Sequence, residues 1–149
     1  MLKTNKIILN FIIALFIVFI IFSIDLILLK LGVDNLTILV KVLIEEFSKF
    51  VVVFIFFMKI FNDKKNFLWI GLFFGLIEFF LYFFIFYGYG INFVLIRYFV
   101  VIIHIITFII LYYSIFFLKL KKSYMNAILL FLSNVLIHYL WNYFSHYIS

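Results

Sequence analysis

The chain has 149 residues, of which 70% are hydrophobic and 25 are phenylalanine, and it contains no proline or cysteine. A soluble domain is nearer half apolar, so this composition predicts an integral membrane protein, and the lack of cysteine excludes disulfides, thiolate metal sites and cysteine nucleophiles. The formal net charge of +6 comes mostly from lysines at the ends of apolar runs. Lysines in this position are typical of residues that set the orientation of membrane helices, and they argue against nucleic-acid binding.

Five apolar runs are long enough for membrane-spanning helices, each of which needs about 20 apolar residues. The runs cover residues 7–29, 36–61, 67–87, 91–118 and 124–148, with charged or turn-forming residues between them. The first run is too long for the apolar core of a signal peptide, so we expect it to be retained. The sequence therefore predicts an all-α, polytopic helix bundle, a single transmembrane domain over residues 1–149 of a multi-pass protein of the cell membrane.

Lysine placement predicts the orientation of this bundle. The N-terminus and the second and fourth connections between the predicted helices carry lysines, whereas the third connection and the C-terminus carry neither lysine nor arginine. The first connection has Lys30, offset by Asp34. Since lysine-rich connections face the cytoplasm, the N-terminus is predicted to be cytoplasmic and the C-terminus extracytoplasmic.

Ionisable side chains that lipid normally excludes lie inside the apolar runs: Glu45, Glu46, Lys49, Glu78, Arg97, His104 and His138. A charged residue at a helix centre costs roughly 2.5–3.5 kcal/mol on insertion-based scales. A plain membrane anchor would not carry several of them, so we expect a polar site buried among the helices.

The depths of these residues converge. At 1.5 Å per residue from the extracytoplasmic helix ends, Glu45, Glu46, Glu78 and His138 fall at roughly 13–15 Å. His104 falls at roughly 20 Å and Asn142 at about 9 Å on the same scale. The side chains of four helices are thus predicted to share the outer half of the membrane.

Helical spacing predicts which of these side chains share a face. Glu45 and Lys49 are four residues apart and Glu46 and Lys49 three apart, both spacings that bring side chains together on a helix. Asn134, His138 and Asn142 form a stripe along one face of the last helix. Asp25, near the outer end of the first helix, is interpreted as interfacial.

Two carboxylates and two imidazoles, without a Ser-His-Asp or Cys-His arrangement, suit the activation of water. A glutamate can act as a general base, and His138 and Asn142, one turn apart, can donate hydrogen bonds to a developing oxyanion. These parts predict hydrolysis of an amide. Glu45, His104 and His138 would also suit zinc with an open position, although the His-Glu-x-x-His spacing is absent. Both a direct glutamate mechanism and a metal mechanism stay open.

Simpler roles also exist for the supporting residues. Lys49 would neutralise a neighbouring carboxylate, Glu78 would pair for packing, and Arg97 near a helix end would extend towards the interface. Two other functions therefore stay open: a catalytically inactive scaffold or bacteriocin-immunity-type protein, and an ion- or proton-coupled transporter. The absence of proline and of an inverted repeat argues against the transporter.

The order of the motifs resembles the PrsW family of membrane proteases, which is related to the CAAX-prenyl-protease and bacteriocin-immunity superfamily of glutamate-dependent intramembrane proteases. The matching segments are Glu45-Glu46-x-x-Lys49, the glycine-containing run from Gly71 through Glu78 to Tyr82, Arg97 with His104, and His138-x-x-Trp141-Asn142. Phe79 departs from the asparagine that this family tends to have beside the glutamate. Phe50 stands where the CAAX branch prefers arginine, which favours the PrsW branch.

The resemblance implies an intramembrane endopeptidase that acts on membrane-anchored proteins, anti-sigma factors among them, without a metal cofactor. By the same analogy Glu45 and Glu46 supply the water-activating carboxylate and His104 assists the water. His138 and Asn142 would form the oxyanion site, with Lys49, Glu78 and Arg97 in support.

Overall fold

A computed structural model describes residues 2–31, 37–57, 63–86 and 91–148, with side chains described for all of these except residues 2–4, 57, 85–86, 91–97 and 146–148. The described ranges form five α-helices: α1 (Leu2–Lys30), α2 (Ile38–Phe57), α3 (Lys64–Phe86), α4 (Ile91–Lys119) and α5 (Tyr124–Ile148). The predicted all-α architecture of about five helices is confirmed. The part of the second predicted helix after Phe57 lies outside the described residues.

Polar residues extend two of the helices beyond their apolar runs. α1 begins at Leu2 rather than at residue 7, because a helix continues through the polar residues that precede its apolar part. α3 begins at Lys64, and Asp63 caps it, since Asp63 Oδ1 accepts a hydrogen bond of 3.0 Å from the Lys65 backbone N–H. An aspartate in this position satisfies a backbone donor that the helix itself leaves unpaired.

Four of the helices contain segments long and apolar enough to cross a membrane: Asn5–Lys30, Lys64–Phe84, Tyr98–Lys119 and Tyr124–Ser145. The chain is therefore a multi-pass membrane protein. α2 differs because its 20 residues include Lys41, Glu45, Glu46 and Lys49. Charged side chains are costly in lipid, so those of α2 that are buried must be paired within the helix or with its neighbours.

Two glycines bring α3 close to α4. A Cβ atom added at Gly75 would lie 2.7 Å from Val101 Cα, and one added at Gly71 would lie 2.9 Å from the His104 backbone oxygen. Small residues at this spacing let two helix backbones approach each other in a membrane. Glu78 follows Gly71 by seven residues, two helical turns, and therefore lies on the same face of α3, towards His104.

A hydrophobic core forms on one side of the bundle. It includes Ile17 of α1, Val53 of α2, Phe74 of α3 and Phe108 of α4, each of which is buried. Many other large apolar side chains are exposed, such as Phe19 and Phe84. In a membrane protein these outward side chains face lipid. The core adjoins a buried polar cluster through Phe74, whose ring centroid lies 4.6 Å from that of His104. The polar cluster consists of Glu45, Glu46, Lys49, Glu78, His104, Asn134, His138 and Asn142.

The orientation predicted from lysine placement can be tested directly because the chain has no native cysteine. Thr37 and Ser123 form a matched pair, since each immediately precedes a helix. In intact cells, a membrane-impermeant maleimide should label Thr37→Cys, while Ser123→Cys should react only after the cells are permeabilised. The reverse labelling pattern would contradict the positive-inside assignment.

Candidate functional site

The buried Lys49 ammonium lies at the centre of the polar cluster. Its side chain is 0% exposed. Lys49 Nζ donates a 2.8 Å hydrogen bond to Glu46 Oε1 and lies 2.5 Å from Glu45 Oε1. It also lies 3.3 Å from His104 Nδ1 and 4.4 Å from the centroid of the Phe74 ring. Both carboxylate contacts follow from the helical spacing of α2. The Lys49 ammonium thereby neutralises negative charge that would be costly to bury without a partner.

Glu46 joins α2 to α5. Its side chain is 0% exposed, and its Oε1 accepts a second hydrogen bond, of 2.7 Å, from His138 Nδ1. Its Oε2 accepts a 2.5 Å hydrogen bond from Asn134 Nδ2. Both oxygens of Glu46 are thus occupied by donors within the protein, which suits a carboxylate that organises the site.

The pair of Glu78 and His104 joins α3 to α4. His104 Nε2 contacts Glu78 Oε2, and the other ring nitrogen, Nδ1, faces Lys49 Nζ at 3.3 Å. An ammonium can only donate hydrogen bonds, so Nδ1 accepts and Nε2 carries the hydrogen that is donated to Glu78. The contact with Lys49 therefore selects one tautomer of His104.

His138 and Asn142 contact each other along α5. His138 donates from Nδ1 to Glu46, and its Nε2 lies 3.3 Å from Asn142 Nδ2, the distance of a hydrogen bond from the amide to the ring. The ring hydrogen and one amide hydrogen are thereby used within the network. The oxyanion role that the sequence predicts for these two residues stays a prediction. It would need the second hydrogen of the Asn142 amide, which these contacts do not use.

A cavity of about 370 Å³ lies between α1, α2 and α3. Its lining residues are Val18, Ile21, Phe22, Asp25, Glu45, Phe74, Glu78, Leu81 and Tyr82. Glu45 and Glu78 are the members of the polar cluster that reach this wall, with side chains 18% and 20% exposed. Neither His138 nor Asn142 is among the described residues that line it. The cavity therefore meets the network through two carboxylates.

The neighbouring residues Glu45 and Glu46 have different surroundings. Successive residues of a helix point about 100° apart. Both oxygens of Glu46 accept hydrogen bonds from α5, whereas Glu45 lines the cavity and its Oε1 lies 3.8 Å from His138 Nδ1 of α5. Glu45 Oε1 forms an ion pair with Lys49, but it has no well-aligned hydrogen-bond donor among the described residues. Glu45 Oε1 is itself buried, so a molecule in the cavity would reach the Glu45 carboxylate through the exposed part of the side chain. Both oxygens of Glu46 already accept hydrogen bonds within the protein.

The predicted zinc ligands do come together. Ligand atoms of Glu45, His104 and His138 all lie within 4.8 Å of one another, and two imidazoles with a carboxylate are a suitable donor set for zinc. However, the Lys49 ammonium contacts both Glu45 and His104 directly. A divalent cation among the same ligands would lie against a positive charge, so the residues present do not fit a metal while Lys49 is in this position.

Asn134 is a site residue that the predicted catalytic set omits. It is 0% exposed and holds Glu46 through the short contact described above. The stripe of Asn134, His138 and Asn142 at four-residue spacing is the signal in the sequence that identifies it. Asp25, interpreted from the sequence as interfacial, lines the cavity. The side chain of Arg97 lies outside the described side chains.

Comparisons of the chain with protein-family models, with curated protein sequences and with solved structures find no match. The function of the chain is therefore inferred from the geometry of the site. The resemblance of the motifs to the PrsW family stays a prediction from the sequence.

The different surroundings of the two glutamates predict different effects on stability. Glu46→Gln should lower the free energy of unfolding by about 3 kcal/mol, because it removes a buried charge that three donors share. Glu45→Gln should cost about 1 kcal/mol less than Glu46→Gln, because Glu45 contacts Lys49 and, at 3.8 Å, His138, but accepts no well-aligned hydrogen bond from them. Reversible unfolding of the purified protein by added sodium dodecyl sulfate, followed by circular dichroism, measures both values.

Lys41→Gln provides the matched control for this measurement, because Lys41 is an exposed charge on the same helix. It should change the unfolding free energy by less than about 0.5 kcal/mol. A larger loss from Glu45→Gln than from Glu46→Gln would contradict the organising role of Glu46.

Proposed function

We propose that the protein is an intramembrane endopeptidase that hydrolyses peptide bonds of membrane-anchored proteins with water activated by Glu45. The observation that carries the proposal is the position of the Glu45 carboxylate, on the wall of a cavity and within 4.8 Å of ring nitrogens of His104 and His138. A water molecule in the cavity can donate a hydrogen bond to the Glu45 carboxylate, since that side chain lines the cavity and is 18% exposed.

In this mechanism Glu45 takes a proton from the water while the water oxygen attacks the carbonyl carbon of the peptide. The carbonyl oxygen becomes an oxyanion, and the carbon–nitrogen bond then breaks as the nitrogen receives a proton from Glu45. General base catalysis of this kind contributes about 10²–10⁴-fold to a rate. The same carboxylate thus accepts a proton and returns it, so the cycle needs no other reagent.

The neighbouring residues position Glu45 rather than react. The Lys49 ammonium holds the Glu45 carboxylate at 2.5 Å, and Glu46 holds Lys49 from the other side at 2.8 Å. Both ring nitrogens of His104 are engaged, one by Lys49 and one by Glu78, so His104 can assist the water only if one of these contacts opens. A group that is held in place before the reaction lowers the reorganisation that the reaction requires.

The walls of the cavity suit a segment of an apolar protein chain. Val18, Ile21 and Phe22 of α1 face Leu81 of α3 across it, and the carboxylates lie among these apolar side chains. A membrane-anchored substrate presents the same kind of apolar surface around its peptide bonds. The motif order that resembles the PrsW family supports the same class of substrate.

Replacing the proposed base should remove activity. Glu45→Gln keeps the shape of the side chain but cannot take a proton, so cleavage of a single-pass model substrate in liposomes should fall by at least about 100-fold. Gel analysis of the cleavage products measures the rate. The matched control is Asp25→Asn, the same kind of change at another carboxylate of the cavity wall, which should keep most of the activity.

Cleavage by Glu45→Gln at the wild-type rate would contradict the proposal. If the wild type cleaves no substrate in a panel of single-pass proteins while the polar cluster is intact, the scaffold interpretation replaces it. Proton uptake by wild-type liposomes that Glu45→Gln abolishes, without any cleavage, would instead indicate the proton-coupled transporter.

A further inference from the structure

The polar cluster contains a ligand set for a metal and a cation that already occupies it. Glu45, His104 and His138 come from α2, α4 and α5, and their ligand atoms lie within 4.8 Å of one another. Lys49 Nζ lies 2.5 Å from Glu45 Oε1 and 3.3 Å from His104 Nδ1. The ammonium therefore contacts two of the three ligand residues directly.

The arrangement around His104 is that of a metal-ligating histidine. Such a histidine usually binds the metal through one ring nitrogen and donates the hydrogen of the other to a carboxylate. In this chain Nδ1 of His104 faces the cation Lys49, and Nε2 contacts Glu78. The same imidazole is thus oriented towards a positive charge, with Lys49 in place of a metal.

Lys49 is held by more than one group. Glu46 Oε1 accepts a hydrogen bond from it at 2.8 Å, and the ring centroids of Phe74 and Phe108 lie 4.4 Å and 5.7 Å from its Nζ. Its side chain is 0% exposed. A buried ammonium with two carboxylates and aromatic faces around it has little reason to leave and make room for a second cation.

We propose that the Lys49 ammonium takes the place of a divalent cation among Glu45, His104 and His138, and that replacing Lys49 with a short neutral residue converts the cluster into a divalent-metal site. Glu45 Oε1 and His104 Nδ1 are then free of the positive charge that excludes the ion. This inference does not depend on the proposed peptidase activity, since metal binding is measured without a substrate.

Cobalt(II) is the probe for this conversion, because its visible absorption reports a low-symmetry site with nitrogen and oxygen ligands. Wild type, Lys49→Ala and Lys49→Ser, purified without a histidine tag, are mixed with cobalt, separated from the free ion by gel filtration and analysed for bound metal. Lys49→Ala should retain about one cobalt per chain and show the absorption band. The wild type should retain none.

Two further variants make the assignment specific. His104→Ala in the Lys49→Ala background should lose the bound cobalt, because a ligand is missing. Lys49→Arg, which keeps the positive charge, should resemble the wild type. Cobalt should also raise the unfolding temperature of Lys49→Ala but not of the wild type, since an ion that binds only the folded state stabilises it.

Circular dichroism without and with cobalt shows whether each variant is folded, and folding of Lys49→Ala or Lys49→Ser only when cobalt is present supports the proposal. Folded variants that bind no more cobalt than the wild type would overturn it. The proposal would also be overturned if the wild type binds cobalt and the His104→Ala variant does not, because Lys49 would then not exclude a metal.

Discussion

The Lys49 ammonium lies between the carboxylates of Glu45 and Glu46, on a helix that is too highly charged to be stable in lipid by itself. Leaving one of these charges without a partner in a bundle interior would cost several kcal/mol. The pairing offsets part of this cost within α2, and the neighbouring helices add further contacts. α4 supplies His104, and α5 supplies two further contacts through Glu46. The position of α2 thus depends both on these electrostatic contacts and on the apolar packing of residues such as Val52 and Val53.

The same contacts separate two adjacent glutamates into different roles. Glu46 is surrounded by donors that fix its orientation, which suits a residue that organises helices. Glu45 shares Lys49 with it but reaches the cavity, where a water molecule and a substrate would meet. Preorganised charge of this kind, at the edge of a cavity, is what the activation of water requires. The site thus combines a buried, fully paired carboxylate with carboxylates that reach the cavity.

The sequence was sufficient to predict the helices and the side-chain contacts within one helix. The lengths of the apolar runs predict the helices. The contacts of Glu45 and Glu46 with Lys49 follow from their four- and three-residue spacings and depend only on helical geometry. The convergence of His104, His138 and Glu78 on one region also follows from counting depth along each helix.

The sequence was not sufficient to distinguish Glu45 from Glu46, because that depends on the rotation of α2 relative to α5. The place of Asp25 on the cavity wall likewise depends on how α1 packs against α3. The close approach of α3 and α4 at Gly75 fixes which histidine Glu78 meets. Interhelical rotation and spacing are tertiary properties, and no periodicity within a single helix encodes them.

A double-mutant cycle between Lys49 and Glu46 tests the central interaction most directly. The unfolding free energies of the wild type, Lys49→Met, Glu46→Gln and the double variant give the coupling between the two side chains. If this buried pair organises the bundle, the double variant should be more stable than the sum of the single losses predicts, by at least about 2 kcal/mol. Losses that add within about 0.5 kcal/mol would contradict the account, because the two residues would then act independently.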